Sequence, residues 1–247
     1  MKKTLILLLL SALCMVSCKK DKVDVWVDES PIIDFKDPRF MNALMEISDM
    51  YGEYPHSDGS RTYKSFKDMN GDGKVSEQEA ARVEFLDLNG YKIRNIDELG
   101  FFTSLEILYC QNNLLENIDV SKSTRLKELN CMGNRLSGLD ISKSSELESL
   151  NCSINSLSVL DVSNCKELKT LDCSDNQLTR LDVSECKELR SLNCSDNQIS
   201  SLDVSKCKYM ESLSISNNPI KSLTIYQYYI LPESFIDSYK DIIEYSE

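Results

Sequence analysis

Histidine and tryptophan are nearly absent from this chain, which has one residue of each among 247. The single histidine, His56, stands in the polar stretch YGEYPHSDGS, where we expect an exposed loop. GxSxG, HExxH, P-loop and CxxC motifs are missing as well. Because an enzyme needs a nucleophile, a base or a metal in a pocket, these absences argue against catalysis.

Basic residues are in the minority, with 28 lysines and arginines against 40 aspartates and glutamates and a formal charge of −12. A protein that binds nucleic acid presents a basic surface to the phosphates, so we expect no nucleic-acid partner. Beyond the N-terminus the chain also lacks an apolar run of the roughly 20 residues that a membrane-spanning helix needs.

The N-terminus has two lysines, a short run rich in leucine, and then Ser17 followed by Cys18, which together are typical of an export signal. The Ser17–Cys18 junction resembles the lipobox of bacterial lipoproteins. This resemblance implies a signal peptide over 1–17, lipidation at Cys18, and a polar tether over 18–36 that joins the protein to the membrane through lipid alone. An ordinary secretory signal is the alternative. Removal of the two lysines would change the formal charge from −12 to −14.

A unit of 21 residues repeats six times without insertion from Leu105 onward, with the consensus LxxLxCxxNxLxxLDVSxCxx. Residues 86–104 form an incomplete first copy. The consensus resembles the leucine-rich repeat, most closely the short internalin-like bacterial class, over residues 86–225. This resemblance implies an α/β repeat fold, a right-handed solenoid with a concave parallel β-sheet and one short strand per copy, as at Thr170-Leu171-Asp172. A single copy cannot bury its own leucines, whereas stacked copies share one apolar column.

Eight cysteines occupy two columns of the repeat. Ile215 replaces cysteine in the last copy of the first column, so that position calls for an apolar side chain. Equivalent residues of stacked strands lie about 4.8 Å apart, which cannot supply tetrahedral zinc ligands. We predict free core thiols. Disulfides are the alternative, because the Cα spacing permits them although parallel side chains do not converge. The columns contain Cys110, Cys131, Cys152, Cys173 and Cys194, and Cys165, Cys186 and Cys207.

Asparagine and aspartate form two further columns, which we interpret as scaffold. The asparagine stands at the turn of the repeat, where its amide can satisfy backbone groups that the turn leaves unpaired. The aspartate precedes a serine by two residues and can bond nearby backbone, although a ladder of calcium-binding carboxylates is the alternative. The asparagines are Asn113, Asn134, Asn155, Asn176, Asn197 and Asn218, and the aspartates are Asp119, Asp140, Asp161, Asp182 and Asp203.

Residues 37–85 differ from the repeats and predict a small helical module. Asp37 and Pro38 are a favourable helix start, and the apolar residues from Phe40 to Ile47 follow a helical spacing. We expect a loop over 49–62, which carries glycine, proline and serine.

The stretch DMNGDGKVSEQE, Asp68 to Glu79, alternates oxygen-bearing residues around Gly73 and resembles an EF-hand calcium loop position by position. The alternative is an acidic, glycine-rich turn that matches by chance. EF-hands usually come in pairs, and no second intact loop occurs, so we expect one structural Ca2+ site with a Kd of order 10⁻⁴–10⁻³ M. A helix is predicted to begin at Ser76. The ligands that the resemblance implies are Asp68, Asn70, Asp72, Lys74 through its carbonyl, Ser76 and Glu79.

Most outward residues of the predicted concave face are small and polar, and only Ile107, Tyr109 and Met132 have the size of interface anchors. We interpret them as a partner-binding cluster or, equally, as the contact surface for a module that caps the solenoid. The aromatic residues of 226–247 predict a C-terminal cap, with an aromatic binding patch as the alternative.

Together these patterns predict a monomeric, lipid-anchored bacterial surface protein without enzymatic activity that recognises a protein ligand or mediates adhesion. We place it at the cell envelope, on the exposed side of the outer membrane. The alternative is a periplasm-facing envelope scaffold that meets no external ligand.

Overall fold

The structure is a computed structural model that describes residues 28–50, 53–55, 62–228, 235 and 238–246. The predicted signal peptide, Cys18 and His56 lie outside the described residues, as do Tyr229, Ile230 and Ile236 of the aromatic C-terminal region. Within the described ranges, no helix combines the length and the apolar character that crossing a membrane requires.

The N-terminal module contains the two predicted helices, α1 (Pro38–Met50) and α2 (Glu77–Ala81). The Asp37 carboxylate accepts a hydrogen bond from the Arg39 amide at 3.0 Å, which caps the start of α1. Helix α1 buries its apolar side against the first repeats, where the rings of Phe40 and Phe102 lie 5.8 Å apart. A short 3-10 helix, Asp97–Phe101, completes this part of the chain.

A hairpin lies where the sequence predicts a loop. Strand β1 (Glu53–Pro55) pairs antiparallel with β2 (Thr62–Lys64), and Tyr63 is 4% exposed. The loop prediction for 49–62 was wrong for residues 49–50, which end α1, and for residues 53–55 and 62, which belong to the strands. Strands of three residues leave almost no periodic signal in the sequence.

The repeats form a seven-stranded parallel sheet in which the strands lie side by side in chain order. Leu108, Leu129, Leu150 and Leu171 are direct neighbours in this sheet, because consecutive copies pair without a shift in register. The predicted repeat solenoid with a concave parallel sheet is confirmed. The strands are β3 (Phe85–Asp87), β4 (Ile107–Tyr109), β5 (Glu128–Asn130), β6 (Ser149–Asn151), β7 (Thr170–Asp172), β8 (Ser191–Asn193) and β10 (Ser212–Ser214).

A second sheet of three parallel strands forms at the C-terminal end, and the repeat pattern did not predict it. Strand β11 (Ser222–Tyr226) pairs with β9 (Ser201–Asp203) on one side and with β12 (Ile243–Ser246) on the other. Phe235, Tyr239 and Ile243 pack against the main core. These contacts favour the cap over the aromatic patch for the described part of 226–247.

The core runs without interruption from α1 through the repeats to β11. Its repeating element is the leucine column of the strands, with the cysteines filling the space beside it. All eight repeat cysteines are buried, and Ile215 at the end of the first column is 2% exposed. The prediction that these cysteines are core residues is confirmed.

Every repeat turn contains one residue in the left-handed region, directly before the column asparagine. Glycine, asparagine or aspartate occupies this position in all copies except one, where Ile154 has a φ of 53°. A β-branched residue is strained there, at a cost of roughly 1–2 kcal/mol. The residues are Asn112, Gly133, Ile154, Asp175, Asp196 and Asn217.

The column asparagines bond the backbone as predicted. The side-chain amide of Asn176 donates to the carbonyls of Cys152, Cys173 and Ser174 at 3.0–3.1 Å, and its oxygen accepts from the Leu157 amide at 2.9 Å. One side chain therefore bonds four backbone groups in two successive repeats, its own and the preceding one.

The column aspartates also serve the backbone. Asp161 accepts from the amide of Ser163 at 2.9 Å, and the other column members make the same bond. Hydrogen bonds from Ser163 hold the pKa of the Asp161 carboxyl below its usual range. This geometry favours the scaffold interpretation over a calcium ladder.

Candidate functional site

The N-terminal end of the concave face is covered by the hairpin. Tyr63 packs with Phe85 and Ile107 in a small buried cluster, in which Ile107 is 4% exposed. Ile107 was predicted as a partner-binding residue or a cap contact, and its burial under Tyr63 favours the cap contact. A partner could reach Ile107 only by displacing the hairpin.

Tyr109 stands at the edge of this cluster and is half-buried. Its ring meets the Phe85 ring edge-on, with 5.6 Å between the centroids, and its hydroxyl donates to Glu128 at 2.8 Å. Met132 is half-buried too but does not belong to the cluster. The structure therefore brings Ile107 and Tyr109 together and leaves Met132 apart from them.

A shallow groove of about 290 Å³ begins at Tyr109 and crosses the next three strands. Most of its lining residues have polar side chains, and two inward leucines, Leu129 and Leu150, contribute to the apolar part of the lining. The lining consists of Tyr109, Glu128, Leu129, Asn130, Ser149, Leu150, Asn151, Thr170 and Asp172. Sequence reasoning found these outward positions one by one but not the groove, because its shape depends on how the strands stack.

Part of the hydrogen-bonding capacity of the groove is already used. The side-chain oxygens of Asn130, Asn151 and Asp172 accept from backbone amides two residues further along the chain at 3.0–3.2 Å. The amide NH2 groups of Asn130 and Asn151 make no hydrogen bond to the described residues. The groove thus offers free donors next to the carboxylates of Glu128 and Asp172.

Sequence reasoning missed Tyr63 and Phe85, which shape the N-terminal end of this face. The polar–aromatic–polar order of Thr62, Tyr63 and Lys64 was the available signal, and it matches the exposed–buried–exposed pattern of β2. A pattern of three residues is too short to distinguish a strand from a loop.

The predicted EF-hand-like loop is closed by hydrogen bonds from its own backbone. The Asp68 carboxylate accepts from the amides of Gly71 and Gly73 at 2.7 and 2.9 Å. Asn70 accepts from the Asp72 amide at 3.1 Å, and Asp72 accepts from the amide of the residue two further on at 2.9 Å. Both glycines have φ near +70°, which other residues rarely adopt.

Glu79 joins the two ends of the loop. Its carboxylate accepts from the amides of Met69 and Ser76 at 2.8 and 2.9 Å, and the side chain is 2% exposed. The Ser76 hydroxyl accepts from the Glu79 amide at 3.1 Å, so the two residues form a capping box at the start of α2. The predicted helix start at Ser76 is confirmed.

The donors of this loop fit Ca2+ in kind, because carboxylates, an amide oxygen, a hydroxyl and a backbone carbonyl are the hard ligands that calcium takes. A carboxylate oxygen that accepts one hydrogen bond keeps a further lone pair for a cation. Among the described residues, no three His, Cys, Asp or Glu side chains are already arranged to hold a metal ion. The loop carboxylates would therefore have to close on the ion as it binds.

The thiols of the cysteine columns are unreactive in the folded protein. Burial raises the pKa of the Cys110 thiol to about 12 and that of Cys165 to about 11. Burial likewise raises the pKa of Cys152, with the neighbouring Cys131 adding to the effect. Because the thiolate is the reactive form, these side chains behave as small apolar residues and not as nucleophiles.

A family model for leucine-rich repeats, in two copies, matches residues 166–207 and 187–228. The chain thus carries leucine-rich repeats and has the fold of a leucine-rich-repeat solenoid. A comparison with curated proteins gives no significant match.

Solved leucine-rich-repeat structures share this fold. Internalin C2 from Listeria monocytogenes is 17% identical, with 86% of this chain and 94% of that chain covered and a TM-score of 0.52. The ectodomain of the receptor kinase GASSHO1/SCHENGEN3 from Arabidopsis thaliana is 23% identical, with 68% and 22% covered and a TM-score of 0.52. The functional domain of InlJ from Listeria monocytogenes is 26% identical over 72% of this chain, with a TM-score of 0.45, and the chain spans about half of that domain, 51%.

We expect the repeat cysteines to be unreactive in the folded protein. The raised pKa keeps each thiol protonated at pH 8, so a thiol reagent such as DTNB should react with none of the eight until guanidinium unfolds the chain, and then with all eight. Fewer than eight reactive thiols after unfolding without reductant would show that disulfides form.

The stability that these protonated thiols contribute is present below the ordinary thiol pKa of about 9.0 and is lost as pH rises towards folded-state values of about 11 to 12.

Proposed function

We propose that the protein recognises a protein ligand through the middle of its concave face and acts as a monomer. The observation that carries this proposal is the groove of about 290 Å³ on the in-register sheet, with unpaired amide donors beside two carboxylates. Repeat solenoids use their concave surfaces for binding and are typically interaction scaffolds without catalytic activity. The GASSHO1/SCHENGEN3 ectodomain, which shares the fold, was solved in complex with CASPARIAN STRIP INTEGRITY FACTOR 2.

The groove chemistry defines the kind of ligand surface that it fits. Glu128 and Asp172 attract basic side chains, and the NH2 groups of Asn130 and Asn151 can bind carbonyl oxygens of the ligand backbone. Tyr109 supplies an aromatic edge at one end of the groove. Met132, which is half-buried outside the groove lining, would be a second apolar contact only for a ligand that extends beyond the groove. Ile107 contributes indirectly, because it supports the covering hairpin.

We further propose that the protein is anchored by lipid at Cys18 to a bacterial cell envelope and faces outward from the outer membrane. The Ser17–Cys18 junction and the polar residues after it support the anchor, and the internalin-like repeat pattern is in keeping with a surface location. The second candidate is a periplasm-facing scaffold without external ligand. The lack of tryptophan and arginine in the groove favours that candidate, since these residues dominate strong interfaces.

We propose a structural role for Ca2+ at the loop Asp68–Glu79, with adhesion or recognition carried out by the repeats. The ligands are Asp68, Asn70, Asp72, Lys74 through its carbonyl, Ser76 and Glu79. The donor chemistry and the left-handed glycines support this assignment. A cation bound there would hold the start of α2 against the first half of the loop, which Glu79 already joins by its hydrogen bonds to the amides of Met69 and Ser76.

Thr170→Arg should strongly reduce ligand capture without changing the melting temperature. Thr170 is exposed in the groove, and an arginine there blocks the centre of the face. Thr179→Arg is the matched control, because Thr179 is an exposed threonine of the same repeat outside the groove. The readout is quantitative affinity capture of surface proteins by immobilised wild-type and variant protein. We expect the amount of captured ligand to fall roughly tenfold or more for Thr170→Arg alone, as for substitution of a residue central to an interface. Equal capture by both variants would show that the groove is not the binding site.

Cys18→Ala should block lipidation and signal processing, because the modified residue itself is lost. Cys14→Ala is the matched control, since Cys14 lies inside the apolar part of the predicted signal and should not be required. Mass spectrometry of the mature protein measures the acyl chains directly. A wild-type N-terminus without acyl chains would show that the segment is an ordinary secretory signal.

Calcium should bind with one ion per chain and raise the melting temperature, because it binds only the folded loop. Glu79→Gln should weaken binding most, since it removes the charge of the bidentate ligand. Glu77→Gln is the control, because Glu77 lies in the same loop but at a position that supplies no ligand. Titration calorimetry with millimolar calcium measures binding by the wild-type protein and by both variants. Identical heats for wild type and Glu79→Gln would rule out this site.

A further inference from the structure

The C-terminal half of the calcium loop is held by a segment far away in the sequence, residues 28–33, here called the bracing segment. The amide of Ile33 donates to the carbonyl of Val75 at 2.8 Å, and the amide of Glu77 donates to the carbonyl of Pro31 at 2.9 Å. These two bonds form an antiparallel β-bridge. The backbone that carries the last two proposed ligands is thus fixed from outside the loop.

Side chains strengthen this bridge at the point where α2 begins. The Ser30 hydroxyl accepts from the Gln78 amide at 3.1 Å. The Asp28 carboxylate accepts from the hydroxyl of Ser76, a proposed ligand, and from the Ser30 amide at 2.8 Å. The bracing segment therefore satisfies a helix-start amide and orients the hydroxyl next to Glu79.

Apolar burial supports the same contact. Ile33 is 6% exposed, and Val75, which receives its hydrogen bond, is 1% exposed. Ile32, which pairs with Ser76 in the bridge, is 48% exposed. Docking of the bracing segment thus buries one isoleucine and leaves the next in solvent, as the alternation of a β-strand requires.

We propose that the bracing segment is the second half of the calcium site, and that calcium binding and docking of this segment are one coupled equilibrium. The inference rests on the proposed calcium site and extends it. EF-hand loops usually work in pairs, whereas this sequence has one intact loop. The bracing segment of the same chain takes the place of the second loop, because it supports the backbone of the first. Each process then favours the other by the same factor, which for such couplings is about 5- to 150-fold.

The test uses the mature protein in detergent, calcium as the probe, and two readouts. Calorimetry gives the calcium Kd. Fluorescence anisotropy of Trp26, the only tryptophan of the sequence, reports docking, because Trp26 is two residues from the start of the bracing segment. Calcium should raise the anisotropy of wild-type protein and leave that of Glu79→Gln unchanged.

Two variants weaken docking without altering any loop residue. Ile33→Pro removes the amide hydrogen that binds the Val75 carbonyl, and the pair Asp28→Ala with Ser30→Ala removes the side-chain contacts while leaving the backbone intact. Ile32→Ala is the control, because that side chain is exposed. We expect a calcium Kd at least about fivefold weaker in both docking variants, at the lower end of such couplings, little anisotropy change, and wild-type behaviour for Ile32→Ala.

The outcomes distinguish failure of the coupling from failure of the calcium site. Absence of calcium binding by wild-type protein would overturn both. Normal binding by wild type, together with an unchanged Kd in the Asp28→Ala, Ser30→Ala variant and in Ile33→Pro, would overturn the coupling and leave the calcium site standing. Should Ile33→Pro fail to fold, the side-chain variant alone decides, since it leaves every backbone bond in place.

Discussion

The asparagine at the turn of each repeat is the interaction on which the solenoid depends. Where the chain leaves a strand and turns, its backbone carbonyls and amides lose the partners that the sheet supplies. Burial of such groups without partners costs roughly 1–3 kcal/mol each. Asn176 bonds three carbonyls and one amide, and two of these groups, the Cys152 carbonyl and the Leu157 amide, belong to the preceding repeat. The leucine and cysteine columns can then stack in register, because the backbone beside them is already paired.

The same regularity explains why the repeat interior is chemically unreactive. The thiols lie in a continuous core where burial raises their pKa, and the column aspartates are occupied with backbone amides. Chemistry and recognition are left to the outward positions of the strands, where neighbouring copies differ. That division matches a scaffold whose binding surface varies while its interior repeats.

Both ends of the solenoid are closed, and by different means. At the N-terminal end the hairpin places Tyr63 on Ile107, and α1 buries Phe40 against Phe102. At the C-terminal end β12 adds a strand beside β11. Because the N-terminal cap also carries the proposed calcium loop, the stability of that end and the shape of the concave groove next to it are physically connected.

The sequence by itself determined the features that recur or are local. The period of 21 residues predicts the strands, the buried cysteines and the bonded asparagines, and the order of residues from Ser76 to Glu79 predicts the capping box. Tertiary structure alone decided the burial of Ile107 under Tyr63, the pairing of Pro31–Ile33 with Val75–Glu77, the sheet of β9, β11 and β12, and the groove. These features join short segments distant in the chain, and three residues in a strand carry no periodicity from which their partner could be read.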